Sequence, residues 1–385
     1  MTQASPDCEM LLDRVEEIFS LLDQTAAQSE QLRRLCPQAV EALHEKGLFR
    51  LWVPVECGGY NVDLATQVDV MIAVARADMS ACWTMMIGNS IISIMASGLS
   101  DEGLAEVFSQ AQLPVAAGSL KASGEARGVE AGYVVNGHWR FGSGIQHARY
   151  IVANCRLADS KQNLSLTIPI TEVTIHDDWY VAGLSGSGSN SYSVSDVFVP
   201  HSRVLSSKPL RGNMIDPMSR LPIEHASVSL GGARRAIDEV TLQAVSKYRL
   251  GESLTVASKQ SFQTELGRLQ AEWESLYAGV KQGANKMARI GQGDPVAFKN
   301  AAIKLRAVCA HAAERSLAIG GKALRQAGAA AVANDNVLQR IFRDLTVSAQ
   351  HAMIGDVAYE DSGKAQLAMR HHNLRLQSSG ERKSE

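Results

Sequence analysis

The order of textures along this chain constrains its fold more than any single motif does. Helix-forming sequence comes first, then a glycine-rich β-forming stretch, then helix-forming sequence again. From residue 7 to 112, apolar side chains recur at steps of three and four, as in Leu11, Leu12, Val15, Ile18, Phe19 and Leu22; that is helical period. "CPQAVEALHEKGLFRLW" predicts a helix opened by Pro37 and stopped by Gly47. Ser100 is placed to cap a further short helix. Near Pro114 the texture changes, and β-branched residues and turn signals dominate to about Pro200. "YIVANCRL", "LSLTIPI" and "DVFVP" predict strands, and "GYVVNGHWRF" predicts a hairpin turning at Asn136-Gly137. After a linker over 201–222 the helical period returns at Leu230, Ala233, Ile237, Val240 and Ala244. Long helices are then expected over about 256–291, 295–326 and 335–370. The expected class is α+β, mostly α. An N-terminal helical domain spans 1–113, a central β-domain 114–205, and a C-terminal region with a four-helix bundle 206–385. The tail "LQSSGERKSE" is expected to be disordered.

A chain of 385 residues is long enough for two or three such domains. Net charge is −2 and no lysine- or arginine-rich run occurs, so a nucleic-acid or anionic-membrane partner has no support. The six cysteines lie far apart, with no CxxC pair, and no HExxH occurs; a metal site is not expected. The first residues are acidic and polar, which points to the cytoplasm and reduced thiols. The most apolar stretch, Cys82 to Leu99, carries Asn89 and four hydroxyl side chains and reads as a buried helix rather than a membrane span.

Four stretches carry candidate chemistry. In "GHWRFGSGIQHARYIV", glycines flank Ser143 and expose its hydroxyl and backbone to a flat ligand; an ordinary turn is the plainer alternative. "GLSGSGSNSYSVSDVFVP" is rich in glycine and serine, yet no GxGxxG opens a helix and no Walker lysine follows. It reads as a loop packed against a ligand or a neighbouring subunit. "SACWTMMIGNS" places Trp83 among small residues, as core or as a ligand wall. In "RIFRDLTVSAQHAMIGD", a continuous helix would bring Arg340, Asp344, Val347 and His351 onto one face. His351 is then a packed core histidine or a catalytic one.

Taken together, these stretches and "GLFRLWVPVECGGYNVDLATQVDVMIAVARADMSACW" resemble the acyl-CoA dehydrogenase superfamily over about residues 10 to 370. The closer resemblance is to its flavin-dependent monooxygenase branch. That branch includes 4-hydroxyphenylacetate 3-hydroxylase oxygenase components, steroid-degradation phenol hydroxylases and dibenzothiophene monooxygenases. The resemblance implies reduced FMN or FAD delivered by a separate NAD(P)H:flavin reductase. It also implies reaction with O₂ through a flavin C4a-hydroperoxide, a small organic substrate (aromatic or natural-product-like), and a homotetramer. It makes Ser143 a donor to flavin N5 or the peroxide, and His351 a stabiliser of the peroxide or an aid to proton transfer. Trp83, Trp139, Phe141 and Gly142 would border the flavin. Lys259 or Gln260 would reach the flavin phosphate of a neighbouring subunit. The alternative is a dehydrogenase of the acyl-CoA type, whose base would be Glu360 in "AYEDSG". A third reading is a helical assembly protein that keeps the fold without redox work. Phenol hydroxylases of the branch often carry a histidine early in the β-domain. Here "AAGSLKASGEARG" offers Ser119, Lys121 and Ser123, which weakens a simple phenol as substrate and leaves room for C–H, N or S oxygenation of a larger natural-product or xenobiotic substrate.

Overall fold

The computed structural model describes residues 6–381, apart from 111, 161, 213, 214 and 292. The chain divides into two compact units, Met1–Pro217 and Met218–Glu385.

The first unit opens with five helices: α1 (Cys8–Leu32), α2 (Pro37–Glu45), α3 (Leu64–Ala77), α4 (Met79–Gly98) and α5 (Asp101–Val107). Their starts follow from short polar residues that satisfy otherwise orphaned amides. Asp7 accepts from Met10 N, Asp63 from Ala65 N and Thr66 N, Asp78 from Ser80 N, and Ser100 from Gly103 N. Helix α2 begins on Pro37, and Gly47 at φ +70° turns the chain away after it. Helix α4 is long and apolar enough to cross a bilayer, but it is sheathed by its own unit. Its Asn89 is fully satisfied there: Oδ1 accepts from Leu51 N at 2.9 Å, and Nδ2 donates to Leu48 O at 2.6 Å. Those bonds pin the segment after α2 against α4, the helix that also carries Trp83.

Seven strands follow: β1 (Ala116–Gly118), β2 (Gly124–Val129), β3 (Gly132–Trp139), β4 (Tyr150–Leu157), β5 (Asn163–Pro169), β6 (Thr174–Ile175) and β7 (Tyr192–Pro200). Strand β4 has antiparallel β5 on one edge and parallel β1 and β2 in succession along the other. From β2 the sheet continues antiparallel through β3, β7 and β6. The core face holds Val135, Trp139, Ile151, Leu166, Ile168, Tyr192 and Val199.

The hairpin expected at Asn136-Gly137 is not there. Strand β3 runs straight through both residues, and the turn lies earlier, between Val129 and Gly132. Asn136 instead faces a bulge in β7: between the pairs Val135–Val197 and Gly137–Val194, two residues of β7, Ser195 and Asp196, stand opposite it. Asn136 trades two hydrogen bonds with Asp196 across the bulge, at 3.0 and 2.9 Å. Gly137 is required by packing: a Cβ there would stand 2.4 Å from the Trp139 ring. The expected linker over 201–222 also ends early, because helix begins at Pro217 and continues through Pro222.

The second unit is helical: α6 (Pro217–Ser246), α7 (Gln260–Ile290), α8 (Pro295–Ala327), α9 (Val337–Ser348) and α10 (Val357–Glu381). The small residues of α8 allow close contact with α9, since a Cβ on Gly320 would lie 2.5 Å from Leu345 Cδ1. The single helix expected over 335–370 is two helices. Helix α9 ends at Ser348, a 3-10 turn covers Ala352–Ile354, and α10 starts at Val357. His351 therefore does not share a helix face with Arg340, Asp344 and Val347. The stretch expected as a disordered tail is helical as far as Glu381, and residues 382–385 lie outside the described ones.

Candidate functional site

In the first unit, β3 delivers the chain into the Phe141-Gly142-Ser143-Gly144 turn. Gly142 N donates to Asn190 O at 3.0 Å and Gly144 N to Ser187 O at 2.8 Å, which clamps this turn to the loop before β7. Both glycines are forced. A Cβ on Gly142 would stand 2.8 Å from the Tyr192 ring, and Gly144 sits at φ +72° with Thr84 Cγ2 2.9 Å from where its Cβ would be. Phe141 is held at φ +66°, a backbone region that aromatic residues seldom adopt. The result is a phenyl ring 59% exposed beside a serine 6% exposed. Trp179 meets the Phe141 ring edge-on at 6.4 Å.

Ser143 is the centre of a buried polar chain. The Trp83 indole Nε1 donates to Ser143 Oγ at 3.1 Å. Ser143 Oγ lies 2.7 Å from Ser189 Oγ, and Ser189 Oγ lies 2.8 Å from Ser187 Oγ. Ser187 Oγ donates to Leu184 O at 2.6 Å. The serine loop that carries this chain is buried against helices of its own unit: a Cβ on Gly186 would fall 3.0 Å from Ser80 Cβ and 3.1 Å from Ser29 Cβ. Thr84, next to Trp83, holds a buried Oγ1 with no partner among the described residues. Of the residues singled out from sequence, Trp83, Phe141, Gly142 and Ser143 thus come together. Trp139 does not join them. It is 1% exposed in the sheet core, stacked on Tyr192 at 5.4 Å, and its Nε1 donates to Asn154 O. It supports the turn from beneath and presents no free face.

In the second unit, His351 caps the 3-10 turn after α9 and accepts from Met353 N at 3.4 Å through Nδ1. Its ring stacks on His225 of α6 at 3.8 Å between centroids. Burial pushes His351 down to about 4, and burial plus the neighbouring His351 pushes the fully buried His225 well below its ordinary value. Both rings are neutral at physiological pH. Beside them, Ser229 and Ser348 hydroxyls lie 3.1 Å apart and Arg220 pairs with Glu224 at 2.6 Å. Arg340 and Asp344 are buried on α9. Lys259 pairs with Glu252, and Gln260 is exposed at the start of α7. Glu360 is 59% exposed and pairs with Lys364 at 2.5 Å, which holds its carboxyl below the usual range. A carboxylate so ionised and solvated is poorly placed to act as a buried base. Among the described residues no cluster suits a metal ion.

Sequence reasoning passed over Ser187, Ser189 and His225. The alternation of serines at 185, 187, 189 and 191 was visible, but only the fold sets Ser189 against a residue 46 positions away. What the first unit offers chemically is a water-poor hydroxyl flanked by glycine and an exposed aromatic ring, the surroundings a flat heteroaromatic ring needs.

Family models for the acyl-CoA dehydrogenase N-terminal domain and C-terminal domain match residues 5–103 and 223–355. The chain is 27% identical over 372 residues to an indole-3-acetate monooxygenase of Pseudomonas putida, covering 94% of this chain and 93% of that one. It is 29% identical over 370 residues to the oxygenase subunit HsaA of a flavin-dependent monooxygenase from Rhodococcus jostii, covering 89% and 94%. Among solved structures, XiaF from a Streptomyces species, in complex with FADH₂ and glycerol, superposes with a TM-score of 0.86 at 25% identity, covering 94% of this chain and 96% of that one.

Proposed function

This chain belongs to the flavin-dependent monooxygenase branch of the acyl-CoA dehydrogenase superfamily, and we propose that it is the oxygenase component of a two-component system. In this reading a separate NAD(P)H:flavin reductase supplies reduced FAD or FMN. The bound flavin, with O₂, supplies a C4a-hydroperoxide that delivers one oxygen atom to an aromatic or natural-product-like substrate. Relatives named as oxygenase subunits support the separate reductase, and the FADH₂ held by XiaF supports the reduced form.

One observation in this chain carries the reading: Ser143 Oγ, seated on the Trp83 indole and clamped between two obligatory glycines, beside the exposed Phe141 ring. The glycines let a planar ring approach the backbone. Trp83 and Phe141 give it apolar walls, and Ser143 gives its N5 edge a polar partner. The burial around Ser143 keeps water from that edge. Neutral His351 is suited to donating a hydrogen bond rather than to acting as a standing cation. Solvation of Glu360 weighs against the dehydrogenase alternative, which needs a desolvated carboxylate base.

We further propose a cytoplasmic homotetramer. Six free thiols support a reducing compartment. Exposed Leu242, Val245, Tyr248, Leu250 and Leu254 around the α6–α7 connection support self-association.

The test is anaerobic mixing of the protein with photoreduced flavin, followed by O₂. The expected result is an absorbance phase distinct from both free redox forms before oxidised flavin returns, and no flavin reduction when NADH is given without a reductase. One-step reoxidation at the rate of free flavin, with oxidised FAD that an acyl-CoA thioester bleaches, would point to the dehydrogenase.

A further inference from the structure

The serine chain has one possible direction, and hydrogen counting fixes it. Three oxygen–oxygen contacts run in series: Ser187 Oγ to Leu184 O at 2.6 Å, Ser189 Oγ to Ser187 Oγ at 2.8 Å, and Ser143 Oγ to Ser189 Oγ at 2.7 Å. Each needs one hydrogen between its two oxygens. A carbonyl has none to give, so the Ser187 hydrogen serves Leu184 O. Ser187 then has none left for Ser189, so Ser189 donates to Ser187. By the same step Ser143 donates to Ser189. The Trp83 indole, a donor only, fills one lone pair of Ser143 Oγ at 3.1 Å. Ser143 is left with one open valence, and that valence is an acceptor. The expectation from sequence that Ser143 donates is thus reversed by its neighbours.

Resting on the flavin reading above, we infer that Ser187 and Ser189 are positioning residues that hold Ser143 as a hydrogen-bond acceptor, so that the site discriminates the redox state of its cofactor. Reduced flavin carries a hydrogen on N5, which the open lone pair of Ser143 accepts. Oxidised flavin presents a lone pair at N5, and two acceptors then face each other in a buried site, where an unmade hydrogen bond is costly. The polarity that takes up the reduced cofactor from a reductase also releases the oxidised one after turnover. Neither serine needs to touch the flavin. The burial of Ser187, Ser189 and Ser143 keeps water from supplying the missing hydrogens and erasing the direction.

Ser189→Ala frees the Ser143 hydrogen to point outward, whereas Ser189→Thr keeps a hydroxyl in place. The measurement is the dissociation constant of the full-length protein for FAD and for FMN, oxidised in one series and dithionite-reduced under anaerobic conditions in the other. Wild type is expected to favour the reduced form. In Ser189→Ala that preference should fall roughly tenfold, equivalent to a drop of about 30 mV in the two-electron potential of the bound flavin. Ser189→Thr should restore most of it. Ser187→Ala, one link further along, should move the preference the same way, and it serves if Ser189→Ala does not fold. A folded Ser189→Ala or Ser187→Ala that keeps the wild-type ratio overturns the inference while leaving the flavin reading intact. Wild-type protein that binds neither redox state overturns the flavin reading and this inference with it.

Discussion

His351 and His225 lie face to face at 3.8 Å, and their remaining bonds give them opposite tautomers. His225 Nδ1 is 2.7 Å from Leu221 O, so that nitrogen carries the hydrogen and Nε2 is the acceptor. His351 Nδ1 accepts from Met353 N, so its hydrogen is on Nε2. His351 is therefore set as a donor through Nε2 while its burial keeps it from holding a second proton. If that donor serves the oxygenation, His351→Ala should lower product formation on the order of 100-fold and raise the H₂O₂ released per reduced flavin consumed. Product and peroxide can be quantified together. Coupling equal to wild type would leave His351 with the role of capping its 3-10 turn. The Ser143 position was legible in the sequence because glycines on both sides mark a backbone that something must approach. The stacked histidines were not, because positions 225 and 351 meet only once α6 and the segment after α9 have packed.

At the scale of elements, legibility followed whether the deciding contact was local. The ends of α2 are set by Pro37 and Gly47, whose effects act on their own backbone, and both were readable. Asn136-Gly137 was misread because its glycine answers to a distant constraint. Gly124 and Gly137 both vacate space for the Trp139 ring, with Cβ positions 2.3 and 2.4 Å from it. The break between α9 and α10 was hidden for a similar reason: Ala349 and Gln350 are good helix formers, so no local signal stops the helix there. Gly137→Ala should therefore destabilise the first unit by about 1–3 kcal/mol or more through overpacking. Gly128→Ala, on β2 with open space around its Cβ position, should stay within about 0.5 kcal/mol of wild type. Urea midpoints at constant slope would compare them. Equal midpoints for the two variants would mean that the bulge can shift to accommodate a methyl group.

At the scale of the whole molecule, both units carry histidines that folding keeps neutral. In the first, burial together with Arg149 and Arg50 pushes His44 down to about 4, and burial together with Arg34 does the same to His147. In the second, His351 also falls to about 4 and His225 falls further. An unfolded histidine binds a proton near pH 6.5. Between roughly pH 6.5 and pH 4 the unfolded chain therefore holds more protons than the folded one, and stability falls as pH falls through that window. Each of the three histidines near 4 contributes on the order of 1–3 kcal/mol of this loss, a sizeable share of the roughly 5–15 kcal/mol net stability of a domain, and His225 adds in the same direction. Urea midpoints should decline steadily from about pH 7 to 4 and level off below that for the three histidines near 4. His147→Asn and His351→Asn, one in each unit, should each flatten part of the decline. A wild-type midpoint that holds steady down to about pH 4.5 would show that these imidazoles take up protons in the folded protein, and would remove the basis for treating His351 as a neutral donor during turnover.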